Sequence, residues 1–290
     1  MRPSVLALTC LILARMGVFG QAADAPSFEV ASVKPASPSA TGRTISGGPG
    51  TADPGVWSGS NIPLAFLISN AYGFQPYQFN RRDSCCQAGF DITAKVTVGT
   101  TKEQFLRMQQ RLLEERFKLA FHLERKEMAI YELTVGERGV KLQESAPGAS
   151  SEPEDPWGPP EYSIGKDGYP VFPAGRSGLA GPNGHYRWTG FNVSVQEIAR
   201  TLSNSLGRPV VDATGLKGRY DVDMKWGVDV ALLLEMAGRR DEVGELPDTG
   251  PTGPNLIRAV QDQLGLKLNS KKGAGDIVVI DHVEKIPSKD

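Results

Sequence analysis

The stretch Trp57-Ser58-Gly59-Ser60-Asn61-Ile62 recurs as Trp188-Thr189-Gly190-Phe191-Asn192-Val193. A pattern that returns at long range is the mark of a repeated structural unit. Phe90-Asp91-Ile92 through Lys95 is echoed, at almost the same spacing, by Tyr220-Asp221-Val222 through Lys225. Phe117, Leu119, Phe121, Ile130 and Leu133 then match Leu264, Leu266, Leu268, Ile277 and Ile280 at a longer spacing. Their order is kept, and the extra length falls between Gly227 and Gly253. Three matches in register point to one module present twice, over residues 57–136 and 188–290.

The second copy reads most clearly. Ser194 followed by Glu197 is a capping-box signature, and Val195, Ile198, Leu202 and Leu206 follow at helical spacing up to Gly207. Arg208 to Asp212 predicts a short strand, Thr214 to Gly218 a turn, and Tyr220, Val222 and Met224 a returning strand. A second helix is expected from near Pro254, with Ile257, Val260 and Leu264 on one face. A closing hairpin is expected to start at Leu266 and Leu268, turn at Lys271-Lys272-Gly273 and return through Ile277 to Ile280. In the first copy, Leu64, Leu67, Ile68, Ala71 and Tyr72 mark one helix. Thr101 with Gln104 caps another, carrying Phe105, Met108 and Leu112, and its closing hairpin turns near Lys126-Glu127. The expected class is α+β: two duplicated β-α-β-β-α-β-β modules, with helices on one face of small, mostly antiparallel sheets.

Around the modules, residues 23–56 read as an N-terminal strand and a Gly/Pro-rich loop. Residues 137–187 read as a long Pro/Gly-rich linker, with Trp157, Tyr162 and Phe172 available to order part of it. Residues 1–22 have the form of a secretory signal: Arg2, the apolar run Val5 to Ala14, and small residues at Gly20 and Ala22 before a cut. That run is about half the ~20 residues a spanning helix needs. The mature chain is therefore expected to be exported, to the periplasm or beyond the cell, with no transmembrane segment.

Composition narrows the function classes. The 290 residues carry 32 Lys+Arg against 33 Asp+Glu, which gives no footprint for nucleic acid or anionic lipid. With 3 His and 3 Cys there is no metal motif and no disulfide scaffold, and no cofactor is expected. Cys10 leaves with the signal, so Cys85 and Cys86 remain as an adjacent pair: a redox switch, or an incidental pair in a loop.

Several segments carry a family resemblance. These are Phe28-Glu29-Val30-Ala31-Ser32-Val33-Lys34-Pro35, Ala71-Tyr72-Gly73, Phe90-Asp91-Ile92-Thr93-Ala94-Lys95, Leu112 to Leu119, and above all Arg208-Pro209-Val210-Val211-Asp212-Ala213-Thr214-Gly215-Leu216-Lys217-Gly218-Arg219-Tyr220-Asp221. Together they resemble a large uncharacterised family of exported acidobacterial proteins, across nearly the whole mature chain. The resemblance implies export and one domain type, with no established activity. Related domains attached to membrane-bound sensor-peptidases favour sensing or binding. The chain departs from that pattern between Arg81 and Ala88, where Cys85-Cys86 stands.

No Gly-x-Ser-x-Gly elbow and no His-Glu-x-x-His motif occurs, and His122, His185 and His282 fall at unrelated places in the two copies. Two constellations remain. Trp57 and Trp188 with Asn61 and Asn192 form either a ligand-stacking surface or a pair of core anchors with helix-entry asparagines. Asp212 and Asp221, placed across one expected turn, form either a carboxylate pair for acid–base hydrolysis or a turn cap and an ion-pair partner. The leading expectation is a non-enzymatic binding or interaction module for a peptide, a glycan or an envelope protein, along a sheet edge or between the halves. A secreted hydrolase using Asp212 and Asp221 is the alternative.

Overall fold

The computed structural model describes residues 26–37, 42–79, 88–146, 161–228 and 253–288. The signal-like segment, Cys10, Cys85, Cys86, Trp157 and most of the expected insertion lie outside the described residues.

A first antiparallel sheet has the order β1-β4-β3-β2, from β1 (Ala31–Pro35), β2 (Thr44–Gly47), β3 (Val56–Pro63) and β4 (Gly89–Lys95). Residues 23–56 therefore supply two of its strands. Period-two alternation buries Phe90, Ile92 and Ala94 against α1 (Leu64–Tyr72) and α2 (Lys102–Phe117). Helix α2 starts with the expected reciprocal cap between Thr101 and Gln104.

The linker supplies further short strands. These are β6 (Gln143–Glu144), β7 (Ser163–Ile164) paired with β8 (Pro170–Val171), and β9 (Gly178–Ala180). Tyr162 and Phe172 meet edge to face at 6.1 Å. With β10 (His185–Ser194) and β12 (Arg219–Gly227), two of them make a second antiparallel sheet of order β6-β12-β10-β9. Trp188, Val222, Met224 and Trp226 pack from this sheet onto α3 (Val195–Leu206) and α4 (Leu256–Leu264). Ser194 and Glu197 cap α3 reciprocally, and Gly207 ends it in the left-handed conformation. Ile257 is 40% exposed, and Leu256 takes the buried place expected for it.

Two long strands join the halves and correct both expected closing hairpins. β5 (Ala120–Val135) and β13 (Leu266–His282) are each continuous and pair antiparallel with each other, from Leu266↔Val135 to His282↔Ala120. Neither Lys126-Glu127 nor Lys271-Lys272-Gly273 adopts a positive φ, so no tight hairpin turn forms at either place. Pairing with a distant strand satisfies the same backbone groups without a turn. Leu133, Leu266 and Leu268 end in the second core, while Phe121 and Ile280 pack on the first.

The expected hairpin between Val210 and Tyr220 is likewise replaced. β11 (Val210–Asp212) pairs parallel with β5, whereas β12 pairs with β10 and β6. After β13 the chain returns to the first half, where the N–H of Glu284 donates to the Phe117 carbonyl at 2.7 Å.

Candidate functional site

Both copies of the Trp-x-Gly-x-Asn stretch form strand bulges. Register shifts lie between Gly59 and Ile62 in β3, and between Gly190 and Val193 in β10. Asn61 and Asn192 sit inside them at φ 51° and 53°, in the left-handed region that asparagine tolerates better than most residues. A carboxylate from the neighbouring strand holds each bulge. The Asn61 N–H donates to Asp91 Oδ1 at 2.9 Å, and the Asn192 N–H to Asp221 Oδ1 at 3.0 Å.

The hydroxyl that completes each clamp comes from a different place. Ser60 donates to Asp91 at 3.1 Å from within the bulge, whereas Ser145, just after β6, makes a short bond to Asp221. Both asparagine side chains are also engaged. Asn61 Nδ2 donates to the Gly42 carbonyl at 2.9 Å, and Asn192 Oδ1 accepts from Arg219 Nε at 2.9 Å.

Trp57 is 2% exposed and Trp188 6%. Trp57 stacks on Phe28 at 5.8 Å and meets Phe105 edge to face. Neither indole offers a stacking face to solvent, and both anchor a core.

Among the described residues Asp212 and Asp221 share no hydrogen-bond partner, and they belong to different sheets. Asp212 Oδ1 accepts from the Thr214 N–H at 2.9 Å and its hydroxyl at 2.7 Å, closing the turn after β11. Among the described residues, no group of three or more His, Cys, Asp or Glu side chains is placed to hold a metal ion.

A groove of about 400 Å³ opens on the outer face of the second sheet, and Asp221 lines it. Here period two turns Arg187 and Thr189 outward from β10, and Asp221, Asp223 and Lys225 outward from β12. Arg187 holds Asp223 by two parallel bonds of 2.8 and 2.7 Å, and its Nη1 donates to the Pro170 carbonyl. The hydrogen bonds to Asp223 raise the guanidinium pKa above its ordinary value.

The linker is stitched over this face. Thr189 Oγ1 donates to the Arg176 carbonyl at 3.0 Å, the Phe191 N–H to Ser177 Oγ at 3.2 Å, and Lys225 Nζ to Asp167 at 2.7 Å. The Lys225 ammonium holds the Asp167 carboxyl below its usual range. Phe172 to Arg176 thus form one wall of the groove, and Lys141 to Gln143 with Gln263 and Leu264 form the other.

A family model described as a protein of unknown function, DUF3738, matches residues 65–283. The chain belongs to that family. No curated protein and no solved structure matches it. The DUF3738 match starts after the first bulge and takes in the second bulge and the whole groove.

Of the expected site residues among the described residues, only Asp221 reaches the groove. Asn61 and Asn192 sit in the two bulges, Trp57 and Trp188 anchor the two cores, and Asp212 caps a turn. Arg187, Asp223, Phe172 and Gln263 were missed as groove residues. The alternation Asp221-x-Asp223-x-Lys225 opposite Arg187 signals a charged outer face, but nothing local announces Gln263.

Proposed function

We propose that this DUF3738 protein is exported and acts as a non-enzymatic binding module, with the groove on its second sheet as the ligand site. The observation that carries this reading is the groove itself, whose charges already have structural partners. Arg187 is held by Asp223, Asp221 by Asn192 and Ser145, and Lys141 Nζ donates to the Asp262 carbonyl. Groups so engaged are held in place to shape and orient a ligand. Phe172, Leu142 and Phe191 add apolar contact area beside them. The signal-like first 22 residues support export, and the engagement of Asp212 in its own turn and of Asp221 in the bulge favours binding over a carboxylate-pair hydrolase.

Peptide and glycan arrays, an envelope extract and a panel of hydrolase substrates, all offered to the purified protein, test this. Saturable binding that Phe172→Ala weakens, with no turnover, is expected. Turnover of any substrate that is lost in Asp221→Asn overturns the reading.

A further inference from the structure

The second sheet has a gap in its edge, and the groove lies over it. In the first sheet, β1 covers β4 over five register pairs, from Pro35↔Phe90 to Ala31↔Ala94. The equivalent cover in the second sheet is β6, which pairs with β12 only at Tyr220 and Asp221. The chain then leaves, because the N–H of Lys141 donates to the Leu264 carbonyl at the end of α4.

A side chain takes over further along. Gln263 Oε1 accepts from the Lys225 N–H at 3.0 Å, and its Nε2 donates to the Lys225 carbonyl at 2.7 Å. One carboxamide thus imitates a residue of a partner strand. Beyond it, the Gly227 N–H donates to the Pro254 carbonyl.

Backbone groups on a strand alternate sides with period two. Lys225 and Gly227 turn their N–H groups to this outer edge, and so does Asp223. Its N–H and C=O stand between the cover of β6 and the cap of Gln263. Among the described residues, β6 pairs with β12 no further than Asp221, and no turn, loop or cap hydrogen bond reaches either group. Asp223, Gln143, Gln263, Leu142 and Leu264 all line the groove.

We infer that the ligand of the groove is an extended peptide, one residue of which pairs through its main chain with Asp223. This rests on the binding reading above and names its ligand class. A peptide residue supplies an acceptor and a donor side by side, which is the pair Asp223 leaves open and the pair Gln263 already imitates two residues away. The residue opposite Asp223 lies on the outer face, beside Arg187 and Thr189. Its two neighbours turn inward, toward Leu142 and Leu264, so they are apolar.

The probe is a set of linear twelve-residue peptides selected from a random phage library on the purified protein. The expected result is an apolar-polar-apolar core in the selected sequences. Methylation of one backbone nitrogen weakens binding about tenfold, the value of one hydrogen bond. Methylation of the next nitrogen changes it less than about twofold, and the Asp223 amide gains protection from hydrogen exchange.

Binding that is indifferent to every backbone methylation, or an Asp223 amide that stays unprotected, overturns the inference. So does an absence of selected peptides. Should a glycan bind the groove instead, the peptide inference falls and the binding reading stands. Should neither class nor any envelope protein bind, both fall.

Discussion

The carboxylate of Asp221 accepts the backbone N–H of Asn192 at 3.0 Å and so pins a left-handed residue in the middle of β10. Asp91 and Asn61 stand in the same relationship in β3. Asp221→Ala leaves that N–H with Ser145 Oγ alone, at 3.1 Å, and the Ser145 hydroxyl without its acceptor, and a loss of about 1–2 kcal/mol is expected in urea denaturation. Asn192→Gly keeps the backbone conformation and stays within about 1 kcal/mol. Asn192→Val forces a branched side chain into that conformation and costs more. Equal effects for Gly and Val would remove the bulge from the account.

Trp57→Ala and Trp188→Ala are core truncations, each expected to cost about 3–5 kcal/mol. The measurement is the denaturation midpoint. Lost ligand binding at unchanged stability would show instead that an indole faces the ligand.

Gln263→Ala uncovers the Lys225 N–H and C=O. A cost of about 1–3 kcal/mol is expected, with faster hydrogen exchange confined to the Lys225 end of β12. Slow exchange there in the variant would mean that another group caps that edge.

Glu197 gives the stability curve an acid limb. Burial raises its pKa, but hydrogen bonds from Ser194 and the nearby Arg219 and Arg200 outweigh burial and hold it below the ordinary 4.5. The folded chain then binds fewer protons at this group than the unfolded chain does. The stabilisation is full above pH 4.5 and is lost as pH falls through the lowered value. Glu197→Gln should be less stable at neutral pH and lose less on acidification, as read from melting temperatures between pH 3 and 7. Parallel acid limbs in the two proteins would exclude Glu197 as their source.

The paired long strands predict that neither half folds alone. A fragment ending at residue 136 keeps β5 but lacks the strand that pairs with it, along with Ile280 and Val283 on its core. Circular dichroism should show no cooperative melt for either half, and mixing the halves should restore one. A cooperative melt of the first half alone would contradict this.

Helices were legible because their signals are local: Thr101 with Gln104, Ser194 with Glu197, and Gly207 each act within one turn. Strand identity was legible from period two, as at Phe90, Ile92 and Ala94. Strand pairing was not. Lys126-Glu127 and Lys271-Lys272-Gly273 read as polar turns between apolar runs, yet they are the solvated middle of two continuous strands. Charge and glycine mark exposure as readily as they mark a reversal. The repeated Trp, Gly and Asn were visible too, but their meaning depends on Asp91 and Asp221, which reach them across a strand pair that only the fold creates. Gln263 and Asp223 meet for the same reason.

Because β13 closes both cores and follows every other strand described, the first half cannot finish folding until residues 266–282 have been made. Until residues 266–282 emerge, the long flank of β5 is an open template for any passing strand. Completion of the native state is therefore tied to synthesis of β13, and a product truncated before it carries a sticky edge where the finished molecule has a seam.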